Sequence, residues 1–319
     1  MAAAAPGARV TPIDPIGPGG AIGAGLAESG TVLFADHPPA EAADMRRLRW
    51  VQLGSHGYEQ FIGAPLHRDT VVTNASGVQD PPIAEWCVMM LYALGRRLPA
   101  MLAAQRDHRW DRSPVFQSEL RGTRVGVLGF GNIGREVTRH CQALGFEVSV
   151  MSRGGVRDRG LRYDPLHRPA DDVPTPTRVF TLDARAEFFA GLDALIVTTP
   201  LTSHTRGLIG ATALAALPAG ALLLNPARAG VVDEPALVDA LRSGHLGGAA
   251  LDDHYRQPMP ADDPFWDLPN TIVTAHISGS NGSPWFRHRI WDLFLTNLRR
   301  HTAGDPLLNV IARGDLELG

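Results

Sequence analysis

From Gly122 onward, apolar runs of strand length alternate with stretches whose apolar residues recur every three or four positions. The runs at 124–128, 147–151, 193–198, 221–224, 248–252 and 271–275 are each bounded by Gly, Pro or Asp, as strands covered on both faces are. Between the first two, Ile133, Val137, Cys141 and Leu144 share one helical face, and Gly145 stops that helix. Asp233-Glu234-Pro235 opens a helix over 235–242 that Gly244 ends. Ser283-Pro284 opens a last helix with Trp285, Ile290, Trp291, Phe294 and Leu298 on its apolar side. This alternation predicts an α/β chain with a doubly wound parallel sheet. The N-terminal part is less regular: strands at Thr31–Phe34, Trp50–Leu53 and Val71–Asn74, a helix at Ala40–Leu48, and a long apolar helix at Ile83–Arg96 opened by Asp80-Pro81-Pro82. The polar, proline-rich stretch from Arg153 to Arg178 reads as a surface connection.

The first run, Val125 to Leu128, feeds directly into Gly129-x-Gly131-x-x-Gly134. A strand, a glycine turn and a helix in that order form the unit that binds a dinucleotide pyrophosphate. Gly129 permits the tight turn, Gly131 lets the phosphates approach the backbone, and Gly134 lets helix and strand pack closely. The N–H groups of the helix's first turn, which holds Asn132 and Ile133, attract the phosphate charge. The second strand of such a unit ends at the adenosine ribose. An acidic residue there favours NAD, but here Ser152-Arg153 follows Met151. A hydroxyl and a guanidinium suit a 2′-phosphate, so NADP is the preferred cofactor and NAD remains possible.

Composition narrows the choices. A net charge of −3 gives no basic field to draw nucleic acid or anionic membrane. No window has the length and apolarity of a membrane span. Met1 to Ala24 lacks the continuous apolar core of a secretion signal and reads as a floppy leader. Cys87 and Cys141 both fall in helical patterns without metal-type spacing, as buried, reduced thiols of a cytoplasmic protein do. All 30 basic residues are arginine, so Schiff-base chemistry and a Walker-type lysine are excluded. No metal site is expected.

Four further runs carry chemistry: Val197-Thr198-Thr199-Pro200 through Thr205-Arg206-Gly207; Leu224-Asn225-Pro226-Ala227-Arg228-Ala229-Gly230; Ala250-Leu251-Asp252; and Thr274-Ala275-His276-Ile277-Ser278-Gly279. With these the chain, from about Trp50 to its end, resembles the D-isomer-specific 2-hydroxyacid dehydrogenases, the family of the glyoxylate/hydroxypyruvate reductases. The resemblance implies a Rossmann cofactor domain over 96–283, inserted in a discontinuous flavodoxin-like substrate domain of 1–95 plus 284–319. The last helix should pack back on the N-terminal part. Trp285 is read as core of that helix, a cover over the substrate side chain being the alternative. Hinges near Gln79–Pro82 and Ser280–Pro284 would let the cleft close. A homodimer through the cofactor domain is implied, with Arg97–Leu120 as its arm.

The resemblance also implies roles. Arg228 grips the substrate carboxylate and polarises its keto oxygen, although Ala229 stands where the family has glycine. His276 is the general acid/base, with Ala275 in place of the family's proline. Gln257 occupies the position of the glutamate that partners the histidine. It can orient His276 by a hydrogen bond but brings no charge, so reduction is expected to favour lower pH. Ser55, His56 and Gly57 resemble the loop that binds the substrate carboxylate through backbone amides. Thr199, Pro200, Thr205, Pro226, Ala227, Asp252 and Gly279 are cofactor-contact candidates, and a turn or packing role suits each about as well. The implied reaction is hydride transfer from NAD(P)H to C2 of a small 2-keto acid, giving a D-2-hydroxy acid. Two alternatives stand beside it: a formate dehydrogenase-like enzyme, which Gln257 suggests, and a non-catalytic NAD(P)-sensing binding protein on the same scaffold.

Overall fold

The computed structural model describes residues 5–156, 160–169 and 171–317. The chain divides into two units: Met1–Gln79, Arg159–Arg168 and Asn281–Gly319 in the first, Asp80–Asp158 and Pro169–Ser280 in the second.

In the first unit β1 (Val32–Phe34), β2 (Trp50–Gln52) and β3 (Val71–Thr73) form a parallel sheet in that order. Trp50 on the central strand is fully buried, stacks on Phe294 at 5.3 Å and donates Nε1–H to Thr73 Oγ1 at 2.8 Å. Phe294 lies on the helix Pro284–Ala303, which Ser283 caps by accepting from the Phe286 N–H at 3.0 Å. That helix therefore packs on the N-terminal sheet as expected, through Ile290, Phe294 and Leu298. Its apolar face is narrower than the sequence suggests: Trp285, expected in the core, is 68% exposed.

Two other N-terminal expectations change. The helix expected over Ala40–Leu48 is a single 3₁₀ turn, Ala42–Asp44. Ala42 in the turn and Met45 and Leu48 after it are buried, and this spacing of three suits a tighter turn than an α-helix. The leader is not loose at its end. Ile22 and Gly23 donate their N–H groups to the Glu41 carboxylate at 3.1 and 2.9 Å, which holds that carboxyl below its usual range, and the helix Ala24–Ser29 follows.

The second unit has a parallel sheet of seven strands: β4 (Arg124–Leu128), β5 (Glu147–Met151), β6 (Arg178–Phe180), β7 (Ala194–Val197), β8 (Ala221–Asn225), β9 (Leu246–Leu251) and β10 (Thr271–Val273). Their order, β10–β9–β8–β7–β4–β5–β6, reverses between β4 and β7. Such a reversal opens a crevice at the carboxyl ends of the strands. The edge strand β6 closes the stretch read as surface connection. With Arg178 and Val179 exposed, it lacks the apolar run that marks its neighbours.

The long apolar helix, Asp80–Gly95, lies wholly in this second unit. Ile83, Ala84, Cys87, Leu91 and Leu94 pack with Val125 and Val127 of β4 and with Val137 and Cys141 of the helix Asn132–Ala143. Buried aliphatic side chains of this kind contribute about 1.5–3 kcal/mol each, so this face fixes the helix to that sheet. The boundary expected at residue 95 accordingly moves to Gln79. Residues 160–168 rejoin the first unit, where Tyr163 donates its hydroxyl to Asp292 at 2.9 Å. Both cysteines are free and buried, and burial pushes the Cys141 thiol up to about 12. Among the described residues no single helix is long and apolar enough to cross a membrane.

Candidate active site

The glycine turn sits where the strand order of the second unit reverses. Gly129 has φ +99°, and a Cβ there would meet the Thr198 carbonyl carbon and the Thr199 nitrogen at 3.0 Å. A Cβ on Gly134 would lie 2.2 Å from the Gly129 carbonyl oxygen. The end of β4, the helix Asn132–Ala143 and the end of β7 are thus in backbone contact, and only glycine fits at both positions. Gly131, which has no side chain, stands at the helix N-cap just before Asn132 and Ile133. That helix start, with its partial positive charge, fits a pyrophosphate.

At the end of β5, Arg153 is exposed. The Ser152 hydroxyl donates to the Gly155 carbonyl at 2.7 Å. Its hydrogen, expected for a 2′-phosphate, is therefore spent on the local turn, which leaves the guanidinium as the group suited to a phosphate. Thr205 also shapes a loop: its hydroxyl donates to the Pro200 carbonyl at 2.6 Å and accepts from the Thr202 N–H at 2.7 Å. Thr199 is half-buried and Pro200 exposed beside it.

Buried Asn225, the last residue of β8, moulds the next turn. Its Oδ1 accepts from the Ala227 N–H at 3.0 Å, and its Nδ2 donates to the Arg228 carbonyl at 2.9 Å. Pro226 is buried in this turn, Ala227 and Arg228 are half-buried, and Arg228 Nη1 donates to the Ala227 carbonyl at 2.9 Å. Ala229 then begins a short 3₁₀ turn with its methyl buried. No left-handed backbone is needed there, so alanine replaces the family's glycine without strain.

Two adjacent aspartates end β9 and take separate tasks. Asp252, fully buried, accepts from Thr274 Oγ1 at 2.6 Å and from the N–H groups of Ile277 and Ser278 at 2.9 Å each. These bonds tie down the loop that carries His276 and leads to half-buried Gly279. His276 has φ +56°, a left-handed backbone that this loop must hold in place. Its imidazole is 46% exposed, and Nδ1 lies 3.4 Å from Gln257 Oε1.

Asp253 was not singled out from the sequence, yet it joins these parts. Its Oδ1 lies 3.3 Å from His276 Nδ1 and accepts from Gln257 Nε2 at 2.7 Å. Its Oδ2 accepts from the Ala229 N–H at 2.7 Å. The sequence expectation that His276 lacks a carboxylate neighbour is therefore corrected: the charge comes from residue 253. The turn carrying Arg228, the loop carrying His276 and the side chain of Gln257 meet at one buried carboxylate. In the first unit, Ser55 Oγ donates to the Gly57 carbonyl at 2.8 Å, and Asn74 Nδ2 donates to the His56 carbonyl at 2.8 Å. Among the described residues no three or more His, Cys, Asp or Glu are placed to hold a metal ion.

Comparison with known proteins identifies the family. The family model for the D-isomer specific 2-hydroxyacid dehydrogenase NAD binding domain matches residues 88–278. The chain is 34% identical to an (S)-sulfolactate dehydrogenase of Chromohalobacter salexigens over 243 residues, 75% of this chain and 72% of that one. It is 32% identical to the D-3-phosphoglycerate dehydrogenase of Archaeoglobus fulgidus over 219 residues, 69% of this chain but 39% of that protein. The chain thus spans about two fifths of the length of its phosphoglycerate dehydrogenase relatives. Among solved structures, a D-isomer specific 2-hydroxyacid dehydrogenase from Xanthobacter autotrophicus Py2 in complex with NADPH and MES matches with a TM-score of 0.75 at 30% identity, covering 91% of this chain and 86% of that one. A seven-stranded sheet with its glycine turn at the order reversal, an arginine turn and a histidine loop meeting at one carboxylate, and these matches lead to one conclusion: the chain belongs to the D-isomer specific 2-hydroxyacid dehydrogenase family.

Proposed function

We propose that this protein reduces a small 2-keto acid to the D-2-hydroxy acid with NADPH. The observation that carries the reading is Asp253, whose two oxygens tie the backbone beside Arg228 to the imidazole of His276. When bound, the nicotinamide supplies a hydride to C2. Arg228 holds the substrate carboxylate and polarises the keto oxygen with its guanidinium. His276, whose Nδ1 faces Asp253, gives the proton on Nε2 to the new hydroxyl oxygen. Formate oxidation releases carbon dioxide and needs no proton delivered to oxygen, so the Asp253–His276 contact favours the keto-acid reading over a formate dehydrogenase. It likewise favours turnover over cofactor sensing.

NADPH is preferred here because an arginine and no carboxylate follows β5, and a relative of 30% identity binds NADPH. Arg153→Ala should lower the ratio of kcat/KM for NADPH to that for NADH at least tenfold, and an unchanged ratio would remove the argument. The protein acts in the cytoplasm as a homodimer through the second unit. There Met89, with Leu98 and Leu102 of the segment expected to form the arm, exposes apolar surface around a groove.

The test is NADPH oxidation with glyoxylate, hydroxypyruvate, phenylpyruvate and 3-sulfopyruvate, the last suggested by the sulfolactate dehydrogenase relative. Saturable turnover of at least one keto acid is expected, and reduction of NADP by formate is not.

A further inference from the structure

We infer that Asp253 is the positioning carboxylate of this active site, holding His276 in the tautomer that proton transfer needs while fixing the turn that carries Arg228. This inference rests on the keto-acid reductase reading for its kinetic consequence, but not for its structural one.

The argument starts from what each group can donate. A carboxylate only accepts hydrogen bonds. Asp253 is buried, 8% exposed, and its Oδ1 faces Gln257 Nε2 at 2.7 Å, so the amide turns its nitrogen to the aspartate. The amide oxygen is then left toward His276 Nδ1 at 3.4 Å. Nδ1 consequently meets two acceptors, Asp253 Oδ1 at 3.3 Å and Gln257 Oε1. An imidazole nitrogen between two acceptors carries the hydrogen, which leaves Nε2 as the atom that gains and gives the working proton. Gln257 alone could not impose this, because a free amide can offer either end. The carboxylate decides which end it offers.

The second oxygen does separate work. Asp253 Oδ2 holds the Ala229 N–H at 2.7 Å. Asn225 holds the other side of the same turn, so the backbone of Arg228 is clasped from both sides. One carboxylate thus couples the place of the substrate-binding guanidinium to the orientation of the acid. The charged and titratable groups around His276 are few. Asp252, Asp253 and His254 lie on the segment after β9, and Arg228 on the turn after β8. Asp252 is engaged by the loop itself, and His254 Nε2 lies 2.7 Å from the Thr274 carbonyl. Of these, Asp253 is the one with a contact to the imidazole.

Two measurements test this. The first needs no activity: long-range ¹⁵N–¹H NMR of the imidazoles in the full-length protein at neutral pH, with His276→Gln to assign the signal. The native ring should carry its hydrogen on Nδ1, and Asp253→Asn, which can donate to Nδ1, should move it to Nε2. A native ring protonated on Nε2, or one unchanged by Asp253→Asn, overturns the inference whether or not any keto acid is reduced. The second is kinetic. Asp253→Asn should lower kcat for keto-acid reduction by about 100-fold and leave NADPH binding in place. Adding Gln257→Glu to that variant returns a carboxylate to the imidazole and should recover at least tenfold. Activity of Asp253→Asn within threefold of native, or no recovery in the double variant, also overturns it. Absence of native turnover with the expected NMR result would instead sink the keto-acid reading and leave Asp253 its positioning role.

Discussion

Arg228 shows how much a single residue's surroundings decide. Asn225 and Asp253 fix its backbone from opposite sides, so its side chain leaves a rigid turn. Lysine would keep the charge but lose the planar fork that grips a carboxylate through two parallel bonds. Arg228→Lys should therefore lower kcat/KM for the keto acid by about 100-fold or more while NADPH titration is unchanged. Equal catalytic efficiency would remove Arg228 from substrate binding. Both Arg228 and His276 could be named from the sequence, because each follows an apolar run in a turn whose neighbours resemble a known pattern. Asp253 could not. Asp252 and Asp253, just past the end of β9, bond to different loops, and only the folded chain brings residues 229, 257 and 276 to the second one. Spacing alone drew attention to Gln257 at the glutamate's position and suggested a missing charge that the fold supplies from four residues earlier.

The strands were the most legible elements. Mostly buried, they read as apolar runs, and each expected run from Gly122 onward overlaps a strand of the seven-stranded sheet. Elements with weaker patterns escaped notice. The helices Arg185–Ala190 and Ala211–Ala216 are too short to show a full helical repeat, and β6 is a partly exposed edge. The glycine turn makes the sharpest prediction at this scale. A methyl group on Gly134 would collide with the carbonyl of Gly129 and has no flexible neighbour to displace. Gly134→Ala should cost about 1–3 kcal/mol of stability in thermal or urea unfolding and weaken NADPH binding in parallel. A variant as stable as native that binds NADPH equally well would show that this close approach is dispensable.

At the scale of the whole chain, the sequence located the insertion of one unit into another but placed its first boundary too late. The helix Asp80–Gly95 follows the first unit in sequence, yet its apolar face is complementary to the second unit's sheet and helix. Which surface a buried helix joins depends on the partner's shape, which its own periodicity does not reveal. Exposed apolar surface bears on assembly in the same way. Leu102, within the arm candidate, is 48% exposed and Met89 55% exposed on the second unit. If the protein is a dimer through this face, native protein should have twice the chain mass by light scattering, and Leu102→Glu should shift it toward monomer. A native monomer at micromolar concentration would reject the dimer.

The central claim is that His276 acts as an acid on a substrate held by Arg228. It is tested most directly by comparing native protein with His276→Ala for NADPH binding and for keto-acid reduction in the same preparation. The account predicts equal cofactor affinity and a loss of turnover of about 100-fold or more. Native protein that binds NADPH but reduces no 2-keto acid, or a variant that reduces one as fast as native, would contradict it.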